Sequence, residues 1–192
     1  MPRVIYMDSG HIIMRITAGI KKGETLRIAK RGIRPTRRLV RQAIFNVIGE
    51  KIYQASVLDI FAGTGAMGIE AISRGAKSVV FIEVNPRVLI TNLRRLDLKE
   101  GVQVIGGDFR PALKKLSGRE FDIIFLDPPY KKNYLSFALR LIKEKNLLKG
   151  EGVIIAEHRA HTQFEIPPGL YLLKKRRYGD TEILFILAKE KL

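Results

Sequence analysis

The amino-acid sequence predicts an α/β fold in which a mostly parallel, seven-stranded sheet carries helices on both faces and ends in an antiparallel hairpin. Five apolar runs between residues 57 and 156 lack polar alternation, which is typical of strands buried on both faces. Segments of helical periodicity separate these runs, which indicates crossover helices between parallel strands. The last two strand-like runs flank Gly179-Asp180 without room for a helix, so they are predicted to be antiparallel.

Before the sheet, the sequence predicts a β-hairpin and a helix. Two short strands over 14–18 and 24–29 flank a turn that contains two lysines and a glycine. Thr36 is predicted to cap the following helix, because its hydroxyl accepts a hydrogen bond from the first turn. Gly49 is predicted to end that helix, since glycine adopts the left-handed conformation of helix C-termini.

The sheet and its crossover helices follow in order along the rest of the chain. Asn85 is expected to cap the second crossover helix, with Pro86 in its first turn. The predicted strands span 57–61, 79–83, 102–105, 121–126, 152–156, 170–178 and 182–189, and the predicted helices span about 67–74, 86–99, 109–116 and 134–146.

Positive charge is concentrated in the first quarter of the chain. Lys and Arg number 35 against 19 Asp and Glu, a net charge of +16, and residues 1–51 hold 12 basic but only 3 acidic residues. Local pairing cannot neutralise this excess, so we expect residues 1–51 to be a polyanion-binding extension of a catalytic domain over 52–192. The candidate phosphate contacts are Lys30, Arg31, Arg34, Arg37, Arg38 and Arg41.

The composition excludes several classes of protein. Without Cys and with three scattered His, the chain is expected to hold no disulfide, no thiolate nucleophile and no metal site. No apolar run approaches the roughly 18 residues that a membrane helix needs, and the N-terminus lacks the apolar segment of a signal peptide. We therefore expect a soluble, cytoplasmic protein that does not bind membranes.

A glycine-rich loop follows the first strand of the predicted sheet. Gly63, Gly65 and Gly68 satisfy G-x-G-x-x-G between a strand and a helix, the context of a nucleotide-binding loop. Glu83 ends the next strand and is placed to accept hydrogen bonds from ribose hydroxyls. Asp108 ends the third strand, where it either accepts an adenine amino group or caps the helix that follows.

Asp59 indicates which cofactor this loop binds. It lies directly beneath the glycine loop, where a carboxylate is unfavourable beside a pyrophosphate. S-adenosylmethionine has no phosphate and carries an ammonium and a sulfonium group, so a carboxylate favours it. The sequence therefore predicts S-adenosylmethionine rather than NAD as the cofactor.

The tetrad Asp127-Pro128-Pro129-Tyr130 follows the fourth strand, at the predicted reactive end of the cofactor. The two prolines restrict the backbone and remove two N–H donors, which leaves carbonyl oxygens as acceptors. The Asp127 carboxylate and the Pro128 carbonyl can hold the hydrogens of an exocyclic amine, while Tyr130 stacks on the base. These are the predicted catalytic residues of an amino-methyltransferase that acts on an extruded base.

Together these motifs resemble the RsmD family of bacterial 16S rRNA guanine-N2 methyltransferases over about residues 14–190. The matching segments are 14–19, 34–48 with its Arg-Pro-Thr, 58–65, 126–130 and 178–181. The resemblance implies a Rossmann-like class I methyltransferase fold with S-adenosylmethionine as cofactor. The cofactor-binding residues would be Asp59, Phe61, Ala62, Gly63, Thr64, Gly65, Glu83 and Asp108, with Thr36 near the methionine end or the RNA.

The resemblance also implies the substrate, which is one guanine of the guanine-966 type in 16S rRNA of the small ribosomal subunit. The basic residues of the extension would then contact RNA, and a monomer is expected. Two alternatives stay open at this point. One is an adenine-N6 methyltransferase acting on DNA or another RNA, because the tetrad serves both bases. The other is a noncatalytic RNA-binding or ribosome-assembly factor on a methyltransferase-like core.

Overall fold

The structure is a computed structural model and describes residues 13–28, 38–129 and 133–188. In these residues the α-helices are α1 (Arg38–Ile48), α2 (Ala66–Ser73), α3 (Arg87–Arg95), α4 (Phe109–Lys115) and α5 (Tyr134–Glu144), and a 3₁₀ turn (Gly49–Ile52) follows α1. The strands are β1 (Ile13–Arg15), β2 (Thr25–Arg27), β3 (Ser56–Ile60), β4 (Ser78–Glu83), β5 (Val102–Gly106), β6 (Phe121–Leu126), β7 (Leu148–Arg159), β8 (Leu170–Tyr178) and β9 (Thr181–Ala188).

The predicted seven-stranded sheet is confirmed. Its strand order is β5-β4-β3-β6-β7-β9-β8. The first five strands in that order are parallel, whereas β9 runs antiparallel to both β7 and β8. The order reverses between β3 and β6, so their carboxyl ends flank the crevice in which sheets of this topology bind ligands. This is the Rossmann-like methyltransferase architecture that the sequence predicts.

Alternate side chains of each central strand are buried on opposite faces of the sheet. Leu58 and Ile60 of β3 pack in the hydrophobic layer that contains α4 and α5. Val57 packs in the other layer, which contains α1, α2 and α3. Burial on both faces explains why these strands read as continuous apolar runs in the sequence.

The observed elements agree with the predicted ones to within a few residues in most cases. The strand predicted over 152–156 extends over Leu148–Arg159, and the helix predicted over 86–99 ends at Arg95 because Asp97 adopts a left-handed conformation (φ 50°). The expectation that Asn85 caps α3 is wrong. Pro86 occupies the cap position, and the Asn85 N–H instead donates to Glu83 Oε1 at 3.0 Å.

The N-terminal hairpin, β1 and β2, packs against α2 and α3. The Arg27 N–H of β2 donates to Asn92 Oδ1 of α3 at 2.8 Å, and Asn92 Nδ2 donates to the Arg27 carbonyl at 3.1 Å. The Asn92 amide therefore pairs with the backbone of β2 as a neighbouring strand would. The same Asn92 amide donates to the Thr64 carbonyl of the glycine loop at 3.0 Å. One buried side chain therefore joins the hairpin, α3 and the glycine loop.

A buried carboxylate, that of Glu70 in α2, anchors the hairpin and α1 to the sheet. Its Oε2 accepts from the Thr17 N–H at 2.9 Å and from Arg41 Nε at 3.3 Å. Its Oε1 accepts from the Thr17 hydroxyl at 2.5 Å, the Ala18 N–H at 3.1 Å and Arg74 Nε at 2.9 Å. Five donors from three segments therefore converge on one carboxylate that is inaccessible to solvent.

The prediction that Arg41 contacts RNA is wrong. Its side chain is fully buried and pairs with Glu70, and it also donates to the Arg15 carbonyl and to the Met14 sulfur. Burial lowers the pKa of Arg41, against the opposing effect of the Glu70 carboxylate. A guanidinium held in this way cannot reach a phosphate, so this positive charge of the extension is structural.

The extension and the sheet share one hydrophobic layer. Met14, Leu26 and Phe45 belong to the same buried cluster as Val57 of β3 and Ile69 of α2. Among the described helices, none is both long and apolar enough to cross a lipid bilayer.

We expect Glu70→Gln to destabilise the fold strongly, because it leaves the buried Arg41 guanidinium without its counter-ion. The free energy of unfolding should fall by about 3–5 kcal/mol, measured by urea unfolding monitored by circular dichroism. Glu50→Gln is the matched control, since Glu50 is exposed and the loss should stay below about 0.5 kcal/mol. A Glu70→Gln loss no larger than that of the control contradicts the anchoring role.

Candidate active site

Four carboxylates lie at the carboxyl ends of adjacent strands. Glu83 ends β4, Asp59 is the penultimate residue of β3, Asp127 follows β6, and Glu157 is near the end of β7. These strands are neighbours in the order β4-β3-β6-β7, so their carboxyl ends meet along one edge of the sheet. A chain with a net charge of +16 therefore concentrates negative charge at this edge.

The glycine loop between β3 and α2 is as tight as the sequence predicts. Gly65 has φ 82°, and a Cβ there would lie 2.4 Å from the Leu89 side chain. A Cβ on Gly68 would lie 2.2 Å from the Phe81 ring of β4, so this glycine lets α2 approach the sheet closely. The loop thus needs its glycines for packing as well as for its backbone conformation.

Phe61 opens the glycine loop in a left-handed conformation, φ 63°, which is strained for a bulky residue. Its ring packs against Phe109 at a centroid distance of 4.7 Å and stacks near Tyr134 at 6.1 Å. Phe61, Ala62 and Gly63 are half-buried, whereas Thr64 is buried. Phe61, Ala62 and Gly63, which are predicted to contact the cofactor, are therefore partly accessible at this edge of the sheet.

Asp59 is buried beneath the glycine loop. Its Oδ2 accepts a hydrogen bond from the Gly68 N–H at 2.9 Å, which ties the carboxylate to the start of α2. Burial, opposed by this hydrogen bond and reinforced by the Glu83 charge, raises the pKa of Asp59 to about 7. The carboxylate is therefore held in an environment that disfavours its negative charge until a cation approaches.

Glu83 shapes the loop from the end of β4. Its Oε2 accepts from the Gly63 N–H at 2.8 Å and its Oε1 accepts from the Asn85 N–H at 3.0 Å. Each carboxylate oxygen keeps a further lone pair for another donor. The side chain is half-buried, so those lone pairs are accessible at the edge of the sheet.

Asp108 caps α4, which was one of its two predicted roles. Its carboxylate accepts from the Arg110 N–H at 2.8 Å and pairs with the Arg110 guanidinium at 2.6 Å. The hydrogen bonds from Arg110 lower the pKa of Asp108 to about 2. The contact with an adenine amino group stays a prediction.

The Asp127-Pro128-Pro129 segment lies directly after β6. Asp127 is half-buried, Pro128 is buried and Pro129 is exposed. Burial raises the pKa of Asp127 well above its ordinary value, and the charges of Glu157 and Asp59 raise it further. The structure therefore brings Asp127 and Asp59 together, as the strand order predicts.

A cavity opens beside the two prolines. Its narrow inner part, about 30 Å³, is lined by residues that include Pro128, Pro129, His158 and Phe164. It adjoins a wider cavity of about 690 Å³, a volume typical of ligand sites. Both parts share the side chains Asn133, Ser136, Thr162, Gln163 and Phe164. Aromatic and amide groups thus converge next to the tetrad.

His158 is the unexpected member of this cavity. It is 4% exposed, and its ring edge packs against Phe164 at a centroid distance of 4.7 Å. Its Nε2 lies 3.2 Å from Glu182 Oε2, but within the described part of the chain neither ring nitrogen makes an aligned hydrogen bond. Burial lowers the pKa of His158, against the opposing effect of the Glu182 carboxylate.

Several predicted site residues lie outside the described residues. They are Lys30, Arg31, Arg34, Thr36, Arg37 and Tyr130. Arg38 is exposed at the start of α1 and remains a candidate RNA contact. Glu157 was missed by the sequence analysis and His158 was not placed among the predicted site residues, although a polar pair directly after the fifth apolar run marks the same sheet edge.

Comparison with known proteins agrees with this geometry. Residues 14–187 match the protein family described as Conserved hypothetical protein 95. The chain is 39% identical to YlbH of Bacillus subtilis, over 88% of this chain and 96% of that protein. It is 36% identical to the "Ribosomal RNA small subunit methyltransferase D" of Haemophilus influenzae, over 86% of this chain and 89% of that protein.

The solved structure of yhhF from Escherichia coli superposes with a TM-score of 0.81 and 29% identity, covering 93% of this chain and 99% of that chain. The match thus spans both the N-terminal extension and the sheet. The chain belongs to this family, the RsmD family of methyltransferases.

Proposed function

We propose that the chain transfers the methyl group of S-adenosylmethionine to the exocyclic N2 amine of a guanine in 16S rRNA, within the small ribosomal subunit and as a monomer. Family membership and the name of the Haemophilus influenzae relative support an rRNA substrate. The observation that carries the proposal is the juxtaposition of Asp59 and Asp127 at the reversal of strand order. It sets a cation-binding carboxylate beside an amine-binding segment.

The charge of the site favours a cationic cofactor. Asp59 has a pKa raised to about 7, and the Asp127 pKa is raised in part by Asp59. An ammonium and a sulfonium relieve this crowding of negative charge, whereas a pyrophosphate would increase it. Glu83 keeps lone pairs for ribose hydroxyls beside the Gly63 turn, which suits the nucleoside part of the same cofactor.

The tetrad residues supply positioning and proton acceptance. When bound, the cofactor supplies an electrophilic methyl group on its sulfur. Asp127 and the Pro128 carbonyl accept hydrogen bonds from the target amine and hold its lone pair in line with that methyl group. A carboxyl whose pKa is raised is also a better proton acceptor, so Asp127 can take the proton that the methylated nitrogen releases.

The cavity beside the prolines supports binding of an extruded base. Phe164 offers an aromatic surface there and lines both the small cavity and the wider one. Stacking on an aromatic ring contributes roughly 1–3 kcal/mol per base.

Nucleoside mass spectrometry of unmodified 16S rRNA and of small subunits, each incubated with the protein and labelled cofactor, tests the proposal. We expect N2-methylguanosine at one position. N6-methyladenine in DNA or RNA would replace the proposed substrate by the adenine alternative. No methyl transfer together with no binding of S-adenosylhomocysteine in calorimetry would support the noncatalytic assembly factor.

Asp127→Ala should abolish methyl transfer, because the target amine loses its carboxyl acceptor. We expect kcat to fall at least about 100-fold, while the Kd for S-adenosylhomocysteine changes little. Asp122→Asn is the matched control. Asp122 lies near the start of β6, at the other end of this strand from Asp127, and pairs with Lys149. Near wild-type transfer by Asp127→Ala would refute the assigned role.

Cofactor affinity should weaken on acidification. The pKa of Asp59 is raised to about 7, so its carboxylate, the form that attracts a cation, is lost as the pH falls through that value. Calorimetry should show an affinity for S-adenosylmethionine about tenfold lower at pH 6 than at pH 8. Asp59→Asn should bind weakly at pH 8 with a flatter pH dependence. An equally steep profile in this variant would assign the titration to another group.

A further inference from the structure

Strand β8 forms the outer edge of the sheet and is exposed on both of its faces. Residues 171–177 are seven consecutive exposed residues, whereas the paired strand β9 is buried over most of its length. Within residues 13–28, 38–129 and 133–188, only one of the two edges of this strand is paired, that with β9. A strand with this much free surface is available to a partner.

The two halves of β8 differ in chemistry. The first half exposes Tyr171, Leu172 and Leu173, and the second half is the run Lys174–Arg177 with four positive charges. The strand contains no acidic residue. Lys175 Nζ lies 3.4 Å from Glu182, and Arg177 Nε donates to the Gly179 carbonyl at 2.9 Å.

Lys174 and Arg176 carry the least compensated charges of the run. Among the described residues, neither of them makes an ion pair within 4.0 Å. They alternate with Lys175 along the strand and so share one face. Their charge is therefore presented to solvent from a rigid, hydrogen-bonded strand rather than from a loop.

Pairing register places these charges level with the candidate active site. Arg176 pairs with Ile183 of β9, which pairs with Glu157 of β7. Asp127 is in the same row, because the preceding Leu126 pairs with Ala156. At about 4.8 Å per strand, three strand spacings separate Arg176 from Asp127, a distance of about 14 Å. The cationic half of the strand is thus the half nearer the site.

An RNA substrate needs cations at this position. The four carboxylates at the sheet edge repel phosphates, and the repulsion grows as the target nucleotide enters the site. Flanking positive charges offset this repulsion and orient the backbone without reading its sequence. Charge complementarity therefore favours a nucleic-acid backbone as the partner of this surface.

Protection against edge-to-edge aggregation is the competing explanation for charged residues on an edge strand. Such protection is most needed beside exposed apolar side chains, which on β8 are Tyr171, Leu172 and Leu173. The cations are instead gathered at the other end, beside the row of Asp127 and Glu157. The distribution of charge thus follows the site rather than the apolar surface.

We propose that Lys174–Arg177 binds the phosphate backbone of the RNA that flanks the target nucleotide. This inference rests on the proposed function for the identity of the RNA. It adds a second contact surface on the side of the site formed by β8.

Lys174→Thr/Arg176→Thr tests the inference, because both residues are exposed and threonine favours strands. The probe is in vitro transcribed 16S rRNA, bound to the protein at several KCl concentrations in a filter-binding assay. We expect the double variant to bind about tenfold more weakly at moderate salt. The slope of log K against log salt should be shallower by about 1.4, since each single-strand phosphate contact contributes about 0.7.

Lys114→Gln/Lys115→Gln is the matched control, because it removes two exposed charges at the end of α4 that faces away from the site. Its RNA affinity and salt slope should resemble those of the wild type. Both variants should keep the wild-type affinity for S-adenosylhomocysteine, which checks the fold.

Unchanged RNA affinity and salt slope in Lys174→Thr/Arg176→Thr overturn the inference. If that variant also forms oligomers on size-exclusion chromatography, its cations protect the edge. If Lys174→Thr/Arg176→Thr and Lys114→Gln/Lys115→Gln lose the same amount of RNA affinity, the loss reflects net charge alone. That result overturns the inference as well. These outcomes are separate from failure of the proposed function, in which the wild-type protein transfers no methyl group to rRNA.

Discussion

The Glu70 carboxylate is the constraint on which the rest of the structure depends. A buried carboxylate is unfavourable unless its oxygens are satisfied, and here five donors from the hairpin, α1 and α2 are needed to satisfy it. Because Glu70 belongs to the helix that begins at the glycine loop, the same interaction fixes that helix against the hairpin and α1. The position of the candidate cofactor site thus depends on a side chain that has no direct contact with it.

Acidic and basic residues are concentrated in different parts of this protein. The acidic groups meet at the carboxyl ends of β4, β3, β6 and β7, while much of the positive excess lies in the extension and along β8. A cationic cofactor and a polyanionic substrate have opposite requirements, and one edge of one sheet must serve both. Placing the acids at the crevice and the β8 cations about three strands away meets both requirements at short range.

Much of the sheet and its acidic edge was predictable from the sequence, because burial on both faces produces long apolar runs whose ends are marked by Asp59, Glu83 and Asp127. Arg41 was not, since nothing in a local run of basic residues shows that one of them meets Glu70, 29 positions later in the chain. His158 was likewise not among the predicted site residues, because its surroundings come from the segment around Phe164 and from β9. Contacts between residues that are distant in the sequence could not be predicted from local sequence patterns.

Asn92 has a consequence for how the molecule folds and unfolds. Its amide bonds to β2 and to the Thr64 carbonyl at once, so separation of the hairpin leaves polar atoms of the buried Asn92 side chain unsatisfied beside the glycine loop. Opening of the extension therefore carries a free-energy cost at the same side chain that holds the loop, which couples the two segments energetically. A chain that began at residue 52 would leave Asn92, a buried neighbour of the candidate cofactor loop, without its hydrogen-bond partner in β2.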